Sequence, residues 1–146
     1  MRRAGAVLFG GEGGASARAD AGLLVLRVFV GLGLALGHGM GKMPPSERFI
    51  GGVAGMGFPA PALFGWAAGL AEFAGGLLLA LGLLTRPSAF FILPTMLVAA
   101  FLREGPSFGD KEKALLYAAA AVLFVLAGAG RYSLDALIRR RSGPPA

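Results

Sequence analysis

The chain of 146 residues is 55% hydrophobic and 15% charged, holds 25 glycines and no cysteine, and carries a net charge of +6 with a mean hydropathy of +0.69. That length fits one domain, and the apolar excess excludes a disordered chain and an ordinary soluble domain, in which about 25% of residues are charged. Without thiols there is no disulfide scaffold, cysteine zinc site or dithiol redox centre, and the scattered basic residues lack the aromatic-interleaved stripe that binds nucleic acid.

A helix needs about 20 mostly apolar residues to cross a hydrocarbon core of about 30 Å. Four stretches answer to this, over residues 21–41, 61–84, 87–102 and 114–130, and they predict an all-α, four-transmembrane-helix bundle in the lipid bilayer. Pro61 and Pro87 stand where a first-turn proline is tolerated, and the charged run EGPSFGDKEK separates the last two spans. Pro94 falls inside the third span and predicts a kink. Between the first two spans, Phe49, Ile50, Val53 and Met56 recur at helical spacing. They read as a short amphipathic helix lying on the outer membrane surface, with capping of a pocket as the alternative.

Arg2, Arg3, Arg18, Arg86, Arg131, Arg139, Arg140 and Arg141 fall on one side of this arrangement, against Lys42, Arg48, Arg103, Lys111 and Lys113 on the other. The bias places both termini in the cytoplasm and the chain in the inner cell membrane. Residues 1–20 read as a flexible, uncleaved tail, because Glu12 interrupts the only signal-like run. Residues 21–138 form the membrane domain and 139–146 a basic tail.

Arg27, His38 and Glu72 lie inside predicted spans, where a charge costs at least about 2.5 to 3.5 kcal/mol and therefore needs a partner. At 100° per residue Arg27 and His38 share one face of the first helix with Gly31, Leu34 and Ala35. Gly65, Gly69, Glu72 and Gly76 make a matching narrow face on the second, so the two helices can approach closely. Depths of about 9 Å for Arg27, 18 Å for Glu72 and 25 Å for His38 from the inner boundary predict an Arg27 to Glu72 pair with His38 above it. Such a cluster either pins two helices in register or moves protons and binds the carbonyls of a membrane-dissolved ligand. Trp66 reads first as an interfacial anchor and second as a ligand-stacking ring; Lys42 and Lys113 read as snorkelling outward. Trp66, Gly69 and Lys42 are the ligand-side candidates. Asp135 reads as a local helix cap, and a single histidine without cysteines gives no metal site.

The ordered series Leu26-Arg27, His38-Gly39-x-x-Lys42, Gly57-Phe58-Pro59, Glu72 followed by Gly75-Gly76-x-Leu78-x-x-Leu81-Gly82-Leu83-x-Thr85-Arg86, Glu112, and Gly128-x-Gly130-Arg131-Tyr132-Ser133-Leu134-Asp135 resembles the DoxX family of small four-helix membrane proteins over residues 22–138. The resemblance singles out Arg27, His38, Lys42, Glu72, Glu112, Arg131 and Asp135. It implies a redox-linked accessory subunit, with a quinone-type site between the first two spans and no covalently bound cofactor. In that picture Glu72 and His38 handle protons or carbonyl hydrogen bonds and Arg27 sets their charge. Electron transfer would need a redox partner subunit or the quinone itself, and a homo-oligomer is the other expected association. The alternatives are a structural or interaction membrane protein and, last, a unit passing protons or small solutes.

Overall fold

The computed structural model describes residues 17–141, which form six α-helices joined by turns. Helix α1 (Ala17–Leu34) runs on through a π-turn (Ala35–Gly39) and a 3-10 turn (Met40–Lys42). Short α2 (Glu47–Gly55) follows, then α3 (Pro61–Leu81), α4 (Thr85–Val98) with its own π-turn (Ala99–Arg103), α5 (Phe108–Ala127) and short α6 (Leu134–Arg141). Of the tails expected from the sequence, residues 1–16 and 142–146 lie outside the described residues. Residues 17–20, assigned above to the tail, are instead the first turn of α1, with Asp20 buried. Arg139, Arg140 and Arg141 likewise form the end of α6.

Among the described residues three stretches, Ala17–Lys42, Pro61–Leu81 and Thr85–Arg103, are long and apolar enough to cross a membrane. Helix α5 differs because Asp110, Lys111, Glu112 and Lys113 occupy its first turns. Its uncharged part runs from 114 to 127, about 21 Å at 1.5 Å per residue, against a core of about 30 Å. The second span stops at Leu81 because Gly82 turns left-handed at φ 67° and its N–H closes the last turn. Helix α5 stops at Ala127 because Gly128 leaves the helix at φ 75°. Ser107 and Asp110 cap α5 reciprocally, and these hydrogen bonds hold the Asp110 carboxyl below the usual carboxylate range.

The four long helices share one core, built from Val30 and Leu34 of α1, Leu79 of α3, Ile92 and Met96 of α4, and Ala121 and Phe124 of α5. Successive pairs α1/α3, α3/α4 and α4/α5 make the main contacts. The distribution is that of a chain in lipid: large apolar side chains such as Phe29, Leu63, Phe90 and Leu126 point outward, and small ones fill the helix contacts. The tightest contact lies between α1 and α3. A Cβ placed on Gly31 would stand 2.5 Å from the Gly76 carbonyl oxygen, and one on Gly76 would stand 2.7 Å from that of Gly31. Only glycines allow two backbones this near.

At the end where both described termini lie, three carboxylate and guanidinium groups lace the turns. Asp135 accepts hydrogen bonds from the N–H groups of Leu84 (2.8 Å) and Thr85 (3.0 Å), while its own N–H donates to Gly82. It therefore caps α4 across 50 residues of sequence, which corrects the local cap expected above. The reason is that Leu84, the N-cap of α4, has no capping side chain of its own. Asp20 accepts from the N–H of Arg131 at 3.0 Å. Arg27 donates to the carbonyls of Ala80 and Tyr132.

Candidate functional site

Glu72 stands on the buried face of α3 and is 2% exposed. Its partner is Lys42, whose Nζ donates to both carboxylate oxygens, at 2.6 Å to Oε1. The expected Arg27 to Glu72 pair does not form. Ala80, which Arg27 grips, lies eight residues beyond Glu72, about 12 Å farther along the helix. The last carbonyls of α3 have no intrahelical partners and carry the negative end of its dipole, so the guanidinium is drawn there instead. Lys42, expected to snorkel outward, bends inward, because Glu72 has no nearer cation and a lone buried carboxylate is costly.

The π-turn in α1 decides the fate of His38. Widening one turn from i→i+4 to i→i+5 holds back the following residues by about one position, roughly 100°. Gly39 instead of His38 therefore lies on α3, against the backbone of Glu72 and Phe73. His38 swings toward α5, where its ring meets Tyr117 edge-on at 5.7 Å between centroids. Gly69, offered above as a ligand contact, is buried beneath the end of α1: a Cβ there would stand 2.8 Å from Met43 Sδ and 3.0 Å from the Lys42 carbonyl oxygen. Trp66 is 44% exposed on the outer surface of α3 and lines none of the cavities around Glu72. Glu112 is exposed on α5; Arg131 and Asp135 belong to the opposite end of the molecule.

The ion pair forms a partition between two spaces. On one side lies a groove of about 340 Å³ between α3 and α4, walled by Phe58, Phe64, Ala68, Phe91, Pro94 and Val98, with Lys42, Glu72 and Arg103 as its polar end. On the other lies a polar chamber of about 130 Å³ between α1, α4 and α5, where His38, Tyr117 and Lys113 join the pair together with Arg103, Glu104 and Asp110. A larger mouth of about 680 Å³, of mixed polar and apolar lining, opens beyond His38 and Lys42 under α2. Space bordering Glu72 thus opens between α3 and α4, and the α1/α3 interface named by the sequence reading is closed by the glycine contacts. Helix α2 roofs the site: Phe49, Val53 and Met56 line the cavities, and the Phe49 ring lies 5.5 Å from Lys42 Nζ and 5.9 Å from the Arg103 guanidinium carbon. Of the two readings of this segment, pocket capping is the one these contacts support.

Sequence reasoning missed Arg103 and Tyr117 as members of this cluster. Arg103 counted only as a loop charge and Tyr117 was not singled out as a site residue, since neither the π-turn at Ala99–Arg103 nor that in α1 has a spacing signature. Among the described residues no group of three or more His, Cys, Asp or Glu side chains could hold a metal ion.

The family model for DoxX matches residues 22–105, more than half of the chain. The chain belongs to the DoxX family. A relative in Escherichia coli K12, the inner membrane protein YqjF, is 30% identical over 130 residues, covering 84% of this chain and 95% of that protein. No solved structure matches significantly. The DoxX match takes in Arg27, His38, Lys42, Gly69, Glu72 and Arg103, so the ion pair and all of its groove lie within the family segment. It stops before Glu112, Arg131 and Asp135. With three helices able to cross a bilayer, this DoxX protein is a membrane protein.

Proposed function

We propose that the protein is a redox-linked accessory subunit of the inner cell membrane that binds a quinone-type lipophilic molecule in the groove between α3 and α4. The observation that carries this reading is the Lys42/Glu72 ion pair closing the polar end of an otherwise apolar groove. A site for such a molecule needs a mostly apolar wall with a few convergent polar groups, in a volume of about 300 Å³ or more, and the 340 Å³ groove meets both conditions. Lys42 and Arg103 are the donors suited to ring carbonyls, and Glu72 is the acceptor suited to a ring hydroxyl. The bound quinone would supply the redox chemistry, and a partner subunit the electrons. The residues of this chain bind and orient the ring and hold or take up a proton at the Glu72 carboxylate, beside the polar chamber that leads past His38.

Four crossings with both termini cytoplasmic suit this reading best. Asp20, near the start of α1, touches Arg131 just after α5, which supports α5 running back through the layer. Leu116 and Leu126 of α5 are 63% and 71% exposed, as lipid-facing residues are. The inner membrane location named for YqjF accords with this.

A short-chain ubiquinone analogue titrated into the protein in nanodiscs tests the proposal, with quenching of the single Trp66, about 9 Å along the helix from Glu72, as readout. Saturable quenching that Ala68→Phe abolishes by filling the groove, at unchanged thermal stability, is expected. Quenching linear in lipid-phase quinone and indifferent to Ala68→Phe would leave partitioning alone and remove the site. The seating of Met43 on Gly69 favours a second reading, in which the ion pair only pins α1 to α3. In that case Ala68→Phe changes nothing measurable.

A further inference from the structure

The opposite end of the molecule carries a second cavity, of about 470 Å³, which the quinone reading does not use. It lies between the end of α3, the turn after α5, and α6. Its polar lining is cationic: Arg131 and Arg140, both exposed, and Arg27, 2% exposed, with Ser133 as the neutral hydroxyl. The cavities at the other end have carboxylates in their walls, whereas this one has none among its described lining residues. Of the two nearby acids, Asp135 caps α4 and lies close enough to Arg27 to interact with its charge, and Asp20 holds the Arg131 N–H. Arg27 is bonded only to carbonyls, and its Nε is buried without a hydrogen-bond partner among the described residues. Apolar groups complete the wall: Leu81, Leu134 and Leu137, exposed by 55%, 37% and 42%, with Tyr132 beside them.

We propose that this cavity binds the phosphate headgroup of an anionic membrane phospholipid. Arg131 and Arg140 supply two exposed positive charges, with Arg27 buried behind them, around a space of headgroup size, while Leu81, Leu134 and Leu137 meet the glycerol and upper acyl chains. Basic pockets between membrane helices hold anionic headgroups in this way, and each Lys or Arg at such a surface contributes about 1 kcal/mol. An aromatic ring at the same level, here Tyr132, is where interfacial aromatics sit. The lipid would also tie α6, which Asp135 fastens to the start of α4, to the bilayer.

The test is native mass spectrometry of the full chain in a non-ionic detergent, titrated separately with phosphatidylglycerol, phosphatidylcholine of the same acyl chains, and inorganic phosphate. Phosphatidylglycerol should saturate at one molecule per chain and bind at least about tenfold more tightly than phosphatidylcholine. Arg131→Gln and Arg140→Gln should each weaken it about fivefold, the equivalent of about 1 kcal/mol. Arg48→Gln, on the exposed face of α2 at the other end, should leave it unchanged. Equal binding of the two lipids, or arginine variants that bind as the wild type does, would overturn the proposal. Inorganic phosphate binding as tightly as the lipid would assign the cavity to a free anion instead. Should Arg131→Gln lose helix content by circular dichroism, Arg140→Gln alone decides, because that side chain stands near the end of α6.

Discussion

Glu72→Gln keeps the shape of the side chain and removes its charge, leaving the Lys42 ammonium facing an amide. The two side chains are 3% and 15% exposed, so the ammonium cannot be fully rehydrated where it stands. At 2.6 Å and an effective dielectric of about 20 the gross attraction is about 6 kcal/mol, most of it offset by the desolvation of both ions. Stranding one member of a buried pair costs about 3–5 kcal/mol, and the contact of Lys42 with the polar chamber puts this case near 3 kcal/mol. For a chain of this length that is a loss of about 10 °C in Tm. Lys42→Met should cost less, about 2 kcal/mol, because the stranded carboxyl can take up a proton. The double variant should recover more than half of the summed loss. Thermal unfolding in detergent, followed by circular dichroism at constant protein and detergent concentration, measures all three. Single losses that add to the double within about 0.5 kcal/mol would refute the coupling, and with it the claim that this pair holds the end of α1 on α3.

Gly31→Ala should cost about 1–3 kcal/mol, since its Cβ meets backbone atoms of α3 that cannot move aside singly. Gly22→Ala, with nothing within 4 Å, should be neutral or stabilising by up to about 1 kcal/mol, and the same melting assay compares the two. Asp135→Ala removes the cap from two N–H groups of α4 and should cost about 2–3 kcal/mol, with Asp135→Asn losing less than half of that. Hydrogen exchange at Leu84 and Thr85 reads the lost cap directly, and unchanged protection there would remove the capping role.

The order and approximate bounds of the three apolar helices α1, α3 and α4 were legible because hydropathy and the Pro and Gly punctuation act locally, whereas α6, expected as the end of the membrane domain and a basic tail, was not. The narrow glycine faces of α1 and α3 were legible for the same reason, since both are periodic. Partner choice for the buried charges was not. Depth arithmetic placed Arg27, Glu72 and His38 on one line, but it assumed straight α-helices. The π-turn at Ala35–Gly39 turned His38 away, and the free carbonyls at the end of α3 outbid the carboxylate for Arg27. Lys42 lay within reach of Glu72 only once the chain after the π-turn had folded back over Gly69, a contact that no residue spacing announces. Asp135 was misread on similar grounds, since a cap supplied from 50 residues away leaves no mark in the local sequence.

The pairing of Arg27 with Tyr132 spans 105 residues, which has a consequence for the birth of the protein. At roughly 5–20 residues per second of synthesis, a ribosome reaches Tyr132 about 5–20 s after it has made Arg27. Throughout that interval α1 bears a charge whose second carbonyl has not been made. Until then the Ala80 carbonyl, made 53 residues after Arg27, is the earlier of its two partners. The second half of the Arg27 clamp is therefore closed only when the carboxy-terminal segment arrives.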